Sequence, residues 1–173
     1  MRSGAGVWAG RPITRSIGDQ MSAPFEDIRA LIYRASLTLD REDWIGFLAL
    51  CAADFRYLIT AYSPELRKRM IWFDHDLESL KALLDMVPQH LRRHGTLLRH
   101  VSVGMIEPAG SPDCYTVTST FQCLHTELDG TTRLYAVGRY IDTVTMSDGR
   151  VLFLGRDTQL ETRDLGIGSH VPL

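Results

Sequence analysis

His90 and His94 stand four residues apart. On a helix that spacing turns both imidazoles to one side, as a two-histidine, one-carboxylate iron site would require. Arg92 and Arg93 lie beside the pair and repel a cation, and no carboxylate follows within the next turn. Two surface histidines are the plainer reading. His75, between Asp74 and Asp76, reads as a capping or interface residue rather than a ligand. Cys51, Cys114 and Cys123 cannot all pair, and none has a second cysteine at the two-residue gap that zinc and iron–sulfur sites favour. A Rieske centre needs two cysteines and two histidines in paired short motifs, and this chain does not supply the pair. No metal site and no cofactor are expected in it.

The elements that would position these groups fall into two halves. Ile28, Leu31, Ile32, Ala35 and Leu39 recur at helical spacing, and Trp44, Phe47, Leu48 and Cys51 repeat the pattern after a charged break, with Asp40 as the expected N-cap of the second helix. Residues 55–62 alternate and are rich in aromatic and branched side chains, which predicts a first strand before a turn at Ser63 and Pro64. Leu77, Leu80, Leu84, Val87 and Leu91 mark a third helix, opened by Asp76 and bent at Pro88. Beyond it the chain alternates over 97–107, 114–127, 133–145 and 151–161, with Asp129-Gly130 and Asp148-Gly149 offering the positive φ angles of tight hairpins. The expected class is α+β: three N-terminal helices packed on one face of a strongly curved, mainly antiparallel sheet.

Bulk properties bound the rest. A chain of 173 residues, 45% hydrophobic, builds one core and not two comfortable domains. Its 19 basic and 21 acidic residues are scattered, so no positive stripe forms that could condense on phosphates, and nucleic acid is excluded as a partner. No apolar run approaches the roughly 20 residues of a membrane helix, so no membrane partner is expected either. Residues 1–22, with five glycines or prolines among the first twenty, read as a disordered leader or a non-native extension ahead of a natural start at Met21. Residues 23–173 read as one cone-shaped domain in a cytoplasmic protein.

The order of elements resembles the cone-shaped fold of nuclear transport factor 2, scytalone dehydratase and ketosteroid isomerase. Several stretches narrow the likeness: Leu31-Ile32-Tyr33-Arg34-Ala35, Leu39-Asp40-Arg41-Glu42-Asp43-Trp44, Asp54-Phe55-Arg56-Tyr57, Trp72-Phe73-Asp74-His75-Asp76, Leu98-Arg99-His100-Val101-Ser102 and Pro172-Leu173. In order and spacing they resemble the small (β) subunits of Rieske-type ring-hydroxylating oxygenases. That resemblance implies a non-catalytic scaffold packed against an α subunit, usually as α3β3, with the Rieske 2Fe–2S cluster and mononuclear iron in the α subunit. It also implies a small substrate oxidised there, an aromatic acid or, in related assemblies, a sulfonate.

Two rival readings follow from the fold. A cone enzyme, a dehydratase or isomerase, would gather Tyr57, His100, His125 and Asp142 in its own pocket, where burial tunes a general base. Alternation argues otherwise for His100, which shares a face with Ser102 and Gly104 while Val101, Val103 and Met105 form the apolar face. A plain dimerising module would use the fold without the quoted motifs. For the oxygenase reading the sheet is the assembly surface: Tyr135, Val137, Arg139 and Ile141 beside Thr116, Thr118, Thr120 and Gln122 combine contact area with polar tips. Arg99, Arg139 and Arg156 are candidate partners for carboxylates on the large subunit, and His100 a candidate contact.

Overall fold

The computed structural model describes residues 17–89, 94–147, 149–166 and 171–173. In chain order its elements are α1 (Ile17–Asp40), α2 (Trp44–Leu48), β1 (Cys51–Ser63), β2 (Lys68–Asp76), α3 (Leu77–Met86), a short 3-10 turn (Val87–Gln89), β3 (Thr96–Ala109), β4 (Ser111–Thr126), β5 (Thr132–Ser147) and β6 (Arg150–Leu160). The six strands form one sheet in the order β2-β1-β6-β5-β4-β3. Every pairing is antiparallel except β1 with β6, which run parallel because the chain crosses between them through α3 and the meander. The expected α+β class holds. Of the leader read over residues 1–22, residues 1–16 lie outside the described residues, whereas 17–22 are helical and belong to α1; the bridge between Gly166 and Val171 also lies outside them.

Periodicity explains most of the core. The α1 stripe Ile28, Leu31, Ile32, Ala35 and Leu39 is buried, and so are Leu80 and Leu84 of α3. They pack on the inward phase of the strands, Phe55 and Tyr57, Val117 and Phe121, Ala136 and Tyr140, Phe153 and Leu160. Each fully buried large side chain contributes roughly 1.5–3 kcal/mol relative to exposure, so the two helices and the sheet hold one another. Asp76 caps α3 by accepting from the Ser79 amide at 2.8 Å. Gly130 closes the β4–β5 hairpin at φ 85°, a conformation that costs an L side chain about 1 kcal/mol.

Three local expectations need correction. Helix α2 ends at Leu48 and Cys51 already opens β1, since the backbone must become extended to reach its partner Phe153 on β6. Its cap is Asp43, which accepts from the Gly46 amide at 2.8 Å, and Asp40 is engaged elsewhere. Strand β2 was not expected at all. It is an edge strand, joined to β1 by a turn whose Arg67 adopts φ 48°, and its exposed Ile71 and Trp72 break the alternation that marks a half-buried strand. Met105 is also exposed rather than inward, because a bulge at Gly104 shifts the register between Val103 and Met105 and exchanges the faces.

Candidate functional site

The interior of the curved sheet is built from charge as well as carbon. Antiparallel pairing sets Asp142 of β5 opposite Arg156 of β6, both on the inward phase. The guanidinium donates from Nε to one carboxylate oxygen at 2.7 Å and from Nη2 to the other at 3.0 Å. It lies 4.2 Å from the centre of the Tyr140 ring and 4.7 Å from that of Phe153, and Tyr140 stacks on Phe121. Burial pushes the Asp142 carboxyl up against the pull of Arg156, while the net direction for Arg156 is also up, because Asp142 outweighs its desolvation. Two short bonds to a group that holds its charge decide for the ionised pair.

A second arginine stands nearby. Arg99 of β3 donates from Nη1 to Asp40 at 2.6 Å and from Nη2 to the Pro172 carbonyl at 2.7 Å, while its amide also donates to the Asp40 carboxylate. Asp40 therefore fixes the end of α1 onto β3. Tyr57 of β1 completes the cluster: its hydroxyl accepts from the Leu173 amide at 2.9 Å and from the Thr158 hydroxyl at 3.2 Å, and donates to the Leu173 carbonyl at 3.3 Å.

Arg99 and Arg156, expected to reach carboxylates on another subunit, are thus corrected: both are buried and committed within this chain. The groups of the pocket enzyme do not converge. Tyr57 and Asp142 face inward, but His100 is exposed on the opposite face, and His125 at the far end of β4 hydrogen-bonds the His94 carbonyl at 3.0 Å. Of the histidine pair, His94 is exposed and His90 lies outside the described residues. Cys123 and His125 do stand at the Cys-X-His spacing of half a Rieske motif, which the sequence reading passed over. No second cysteine–histidine step exists in the sequence, and the described residues hold no group of three or more histidine, cysteine or acidic side chains suited to a metal. The donors present do not fit a Rieske cluster.

Burial pushes the Cys51 thiol from 9.0 up to about 12 and the Cys123 thiol up to about 11. At pH 8 both are protonated, and the thiolate is the reactive form. Iodoacetamide at pH 8 should therefore alkylate these two residues at least ~100-fold more slowly in the folded chain than in urea. Peptide mass mapping reads the rates, and equal rates for Cys123 in both states would refute the protonated, buried thiol.

The outer face is the other candidate. Across β3, β4 and β5 the register aligns His100, Gln122 and Val137, then Ser102, Thr120 and Arg139. His100, Ser102, Thr120, Gln122 and Val137 line a shallow groove of about 400 Å³. Tyr135, expected on this face, instead packs against the core beside His125, because a bulge between Leu134 and Ala136 shifts the register. Val137 and Ile141 are half-buried on the outer face, and Arg139 is exposed and pairs with Glu161 at 2.8 Å. Such an exposed pair contributes at most about 1 kcal/mol, so Arg139 can change partners at little cost. Further along, Thr60 donates to Asp157 at 2.7 Å, and Asp157 also accepts from Gln159.

A curled sheet with helices on its inner side and a broad polar outer face is the architecture of the SnoaL-like domain, and residues 22–157 match that family. The chain belongs to it, among the small (β) subunits of Rieske-type ring-hydroxylating oxygenases. It is 37% identical over 154 residues to the β subunit of the methanesulfonate monooxygenase hydroxylase of Methylosulfonomonas methylovora, covering 84% of this chain and 85% of that one. It is 31% identical over 146 residues to the β subunit of 2-aminobenzenesulfonate 2,3-dioxygenase of an Alcaligenes species, covering 84% and 97%. A crystal structure assigned as the β subunit of an aromatic-ring-hydroxylating dioxygenase from Novosphingobium aromaticivorans superposes with a TM-score of 0.74 at 18% identity, covering 84% of this chain and 94% of that one. At that identity the likeness speaks for the fold alone.

Proposed function

We propose that this chain is the scaffolding β subunit of a cytoplasmic organosulfonate oxygenase, with the Rieske cluster and the mononuclear iron held by its α subunit. The observation that carries the reading is similarity over 84% of the chain to β subunits of two oxygenases, both named for sulfonates, one aliphatic and one aromatic. Of the substrates that the resemblance implies, an aromatic acid or a sulfonate, we propose the sulfonate on that ground. The physical chemistry of the chain agrees. Its inward charges are paired with one another rather than presented to a ligand, and its outer face carries half-buried Val137 and Ile141, which need covering. Three-fold closure of an α3β3 hexamer buries one such patch in every copy. Val137, Arg139 and His100 are the contacts we assign to that interface.

Co-expression with the α subunit of its own host, followed by gel filtration with light scattering, tests this. The parent chain should elute as a coloured α3β3 complex that oxidises methanesulfonate or an aminobenzenesulfonate faster than benzoate. Val137→Asp should weaken assembly on the order of 100-fold, because an unpaired carboxylate in an interface core costs about 3 kcal/mol, and should leave the Tm of the isolated chain within a few degrees. A chain that ignores the α subunit would refute the assignment. Intact assembly by Val137→Asp would remove the sheet face from it.

A further inference from the structure

Helix α1 is apolar on two opposite sides. Ile28, Leu31, Ile32, Ala35 and Leu39 face the sheet and are buried. A helix turns about 100° per residue, which sets Ala30, Tyr33 and Leu37 on the side facing away from that stripe. All three are exposed, Tyr33 to 44% and Leu37 to 54%. A lone exposed apolar side chain is ordinary. An apolar stripe at helical spacing on the side away from the core marks a helix that is covered twice. Ala30 also forms one wall of a groove of about 240 Å³ with Asp27, Leu31, Arg34 and residues 150–152, so a bulky side chain finds room above it. Along one flank of the stripe Asp27, Arg34 and Arg41 follow at seven-residue intervals, and no ion pair holds any of the three among the described residues.

We propose that this stripe joins two copies of the chain, α1 against α1 and antiparallel, about a two-fold axis beside Tyr33. A two-fold contact uses the same patch on both copies, so the patch must complement itself. Here it does. With Tyr33 against the partner's Tyr33, Ala30 lies opposite the partner's Leu37, a small residue under a large one, and this pairing occurs twice. The same register sets Asp27 opposite the partner's Arg41 at both ends of the contact. Parallel helices would instead oppose Asp27 to Asp27 and Arg41 to Arg41, and would align their dipoles. Arg34 meets its own copy at the solvent-facing rim, where salt screens the repulsion. The stripe points away from the sheet, so the contact leaves the outer sheet face free and does not rest on the oxygenase reading.

Sedimentation equilibrium of the full chain without its large subunit is the test. So small a contact is expected to give a dimer with a dissociation constant on the order of 10 μM. Leu37→Asp should raise that constant at least ~30-fold, because it buries an unpaired carboxylate. Arg41→Glu should raise it about 10-fold by opposing two acidic groups, and adding Asp27→Arg to it should return the constant to within about 3-fold of the parent. Every substituted side chain is exposed, so each variant should melt within a few degrees of the parent. A parent chain that is monomeric at about 100 μM, well above the expected constant, would overturn the proposal. So would a dimer indifferent to Leu37→Asp or to Arg41→Glu, or a double variant no tighter than Arg41→Glu alone. A monomeric parent in which Leu37→Asp instead costs binding to the large subunit would assign the stripe to that subunit and also overturn it.

Discussion

Asp142→Ala should lower the Tm by about 10 °C, the larger of two single-substitution effects expected in this chain. The change leaves the Arg156 guanidinium buried with neither of its two carboxylate bonds. Removing one partner of a buried pair costs about 3–5 kcal/mol, most of it the unpaired charge, and for a chain of this size each kcal/mol moves the Tm by roughly 2–4 °C. Tyr140 and Phe153 flank the guanidinium and cannot replace the bonds, since a ring face offers attraction without an acceptor. Replacing both members, as Asp142→Leu with Arg156→Met, should recover most of the loss, because it removes the charge along with the partner. Calorimetry on Asp142→Leu, Arg156→Met and the double variant reads the coupling. A single Asp142→Ala variant that melts with the parent would show that the pair does not hold the interior.

Gly138→Ala should be nearly as damaging, although it adds one methyl group. A Cβ at Gly138 would stand 2.2 Å from the Gln159 carbonyl oxygen of β6 and 3.0 Å from the Phe121 ring of β4. The first neighbour is backbone in the middle of the sheet and cannot swing away, so β5 and β6 must separate or the Phe121–Tyr140 stack must shift. Overpacking of this kind costs typically 1–3 kcal/mol and more where the backbone blocks it, so a loss of about 3 kcal/mol is expected. Gly130→Ala is the comparison, since nothing lies within 4 Å of a Cβ there and only its φ of 85° opposes the change, at about 1 kcal/mol. Chemical denaturation of the two variants should rank them in that order. The reverse ranking would mean that the close approach at Gly138 relaxes freely.

Much of this was legible one residue at a time. The alternation that assigned His100 to the outer face was read correctly, and the same rule applied to Arg99, its neighbour in phase with Val101 and Val103, would have turned that arginine inward. Arg156 shares the inward phase of β6 with Thr158 and Leu160, and Asp142 shares that of β5 with Tyr140 and Val144. Two opposite charges on inward phases of consecutive strands signal a buried pair. Read residue by residue, that signal competes with the rarity of fully buried arginine. Strand β2 left no such trace, because an edge strand with exposed Ile71 and Trp72 buries too little to show a period of two.

Sequence alone determined what depends on near neighbours: the apolar stripe of α1, the Asp76 cap of α3, four long alternating strands with their Gly130 and Gly149 turns, and the ordered stretches that resemble oxygenase β subunits. Tertiary structure decided what depends on register between distant segments. Asp40 meets Arg99 across 59 residues and Tyr57 meets Leu173 across 116. Hydrogen bonding and charge set how favourable such a meeting is, but only sheet order and curvature bring the partners within 3 Å, and those arise from the whole set of strand pairings at once. Chain-local periodicity specifies which face a residue takes; the closed fold specifies what it finds there.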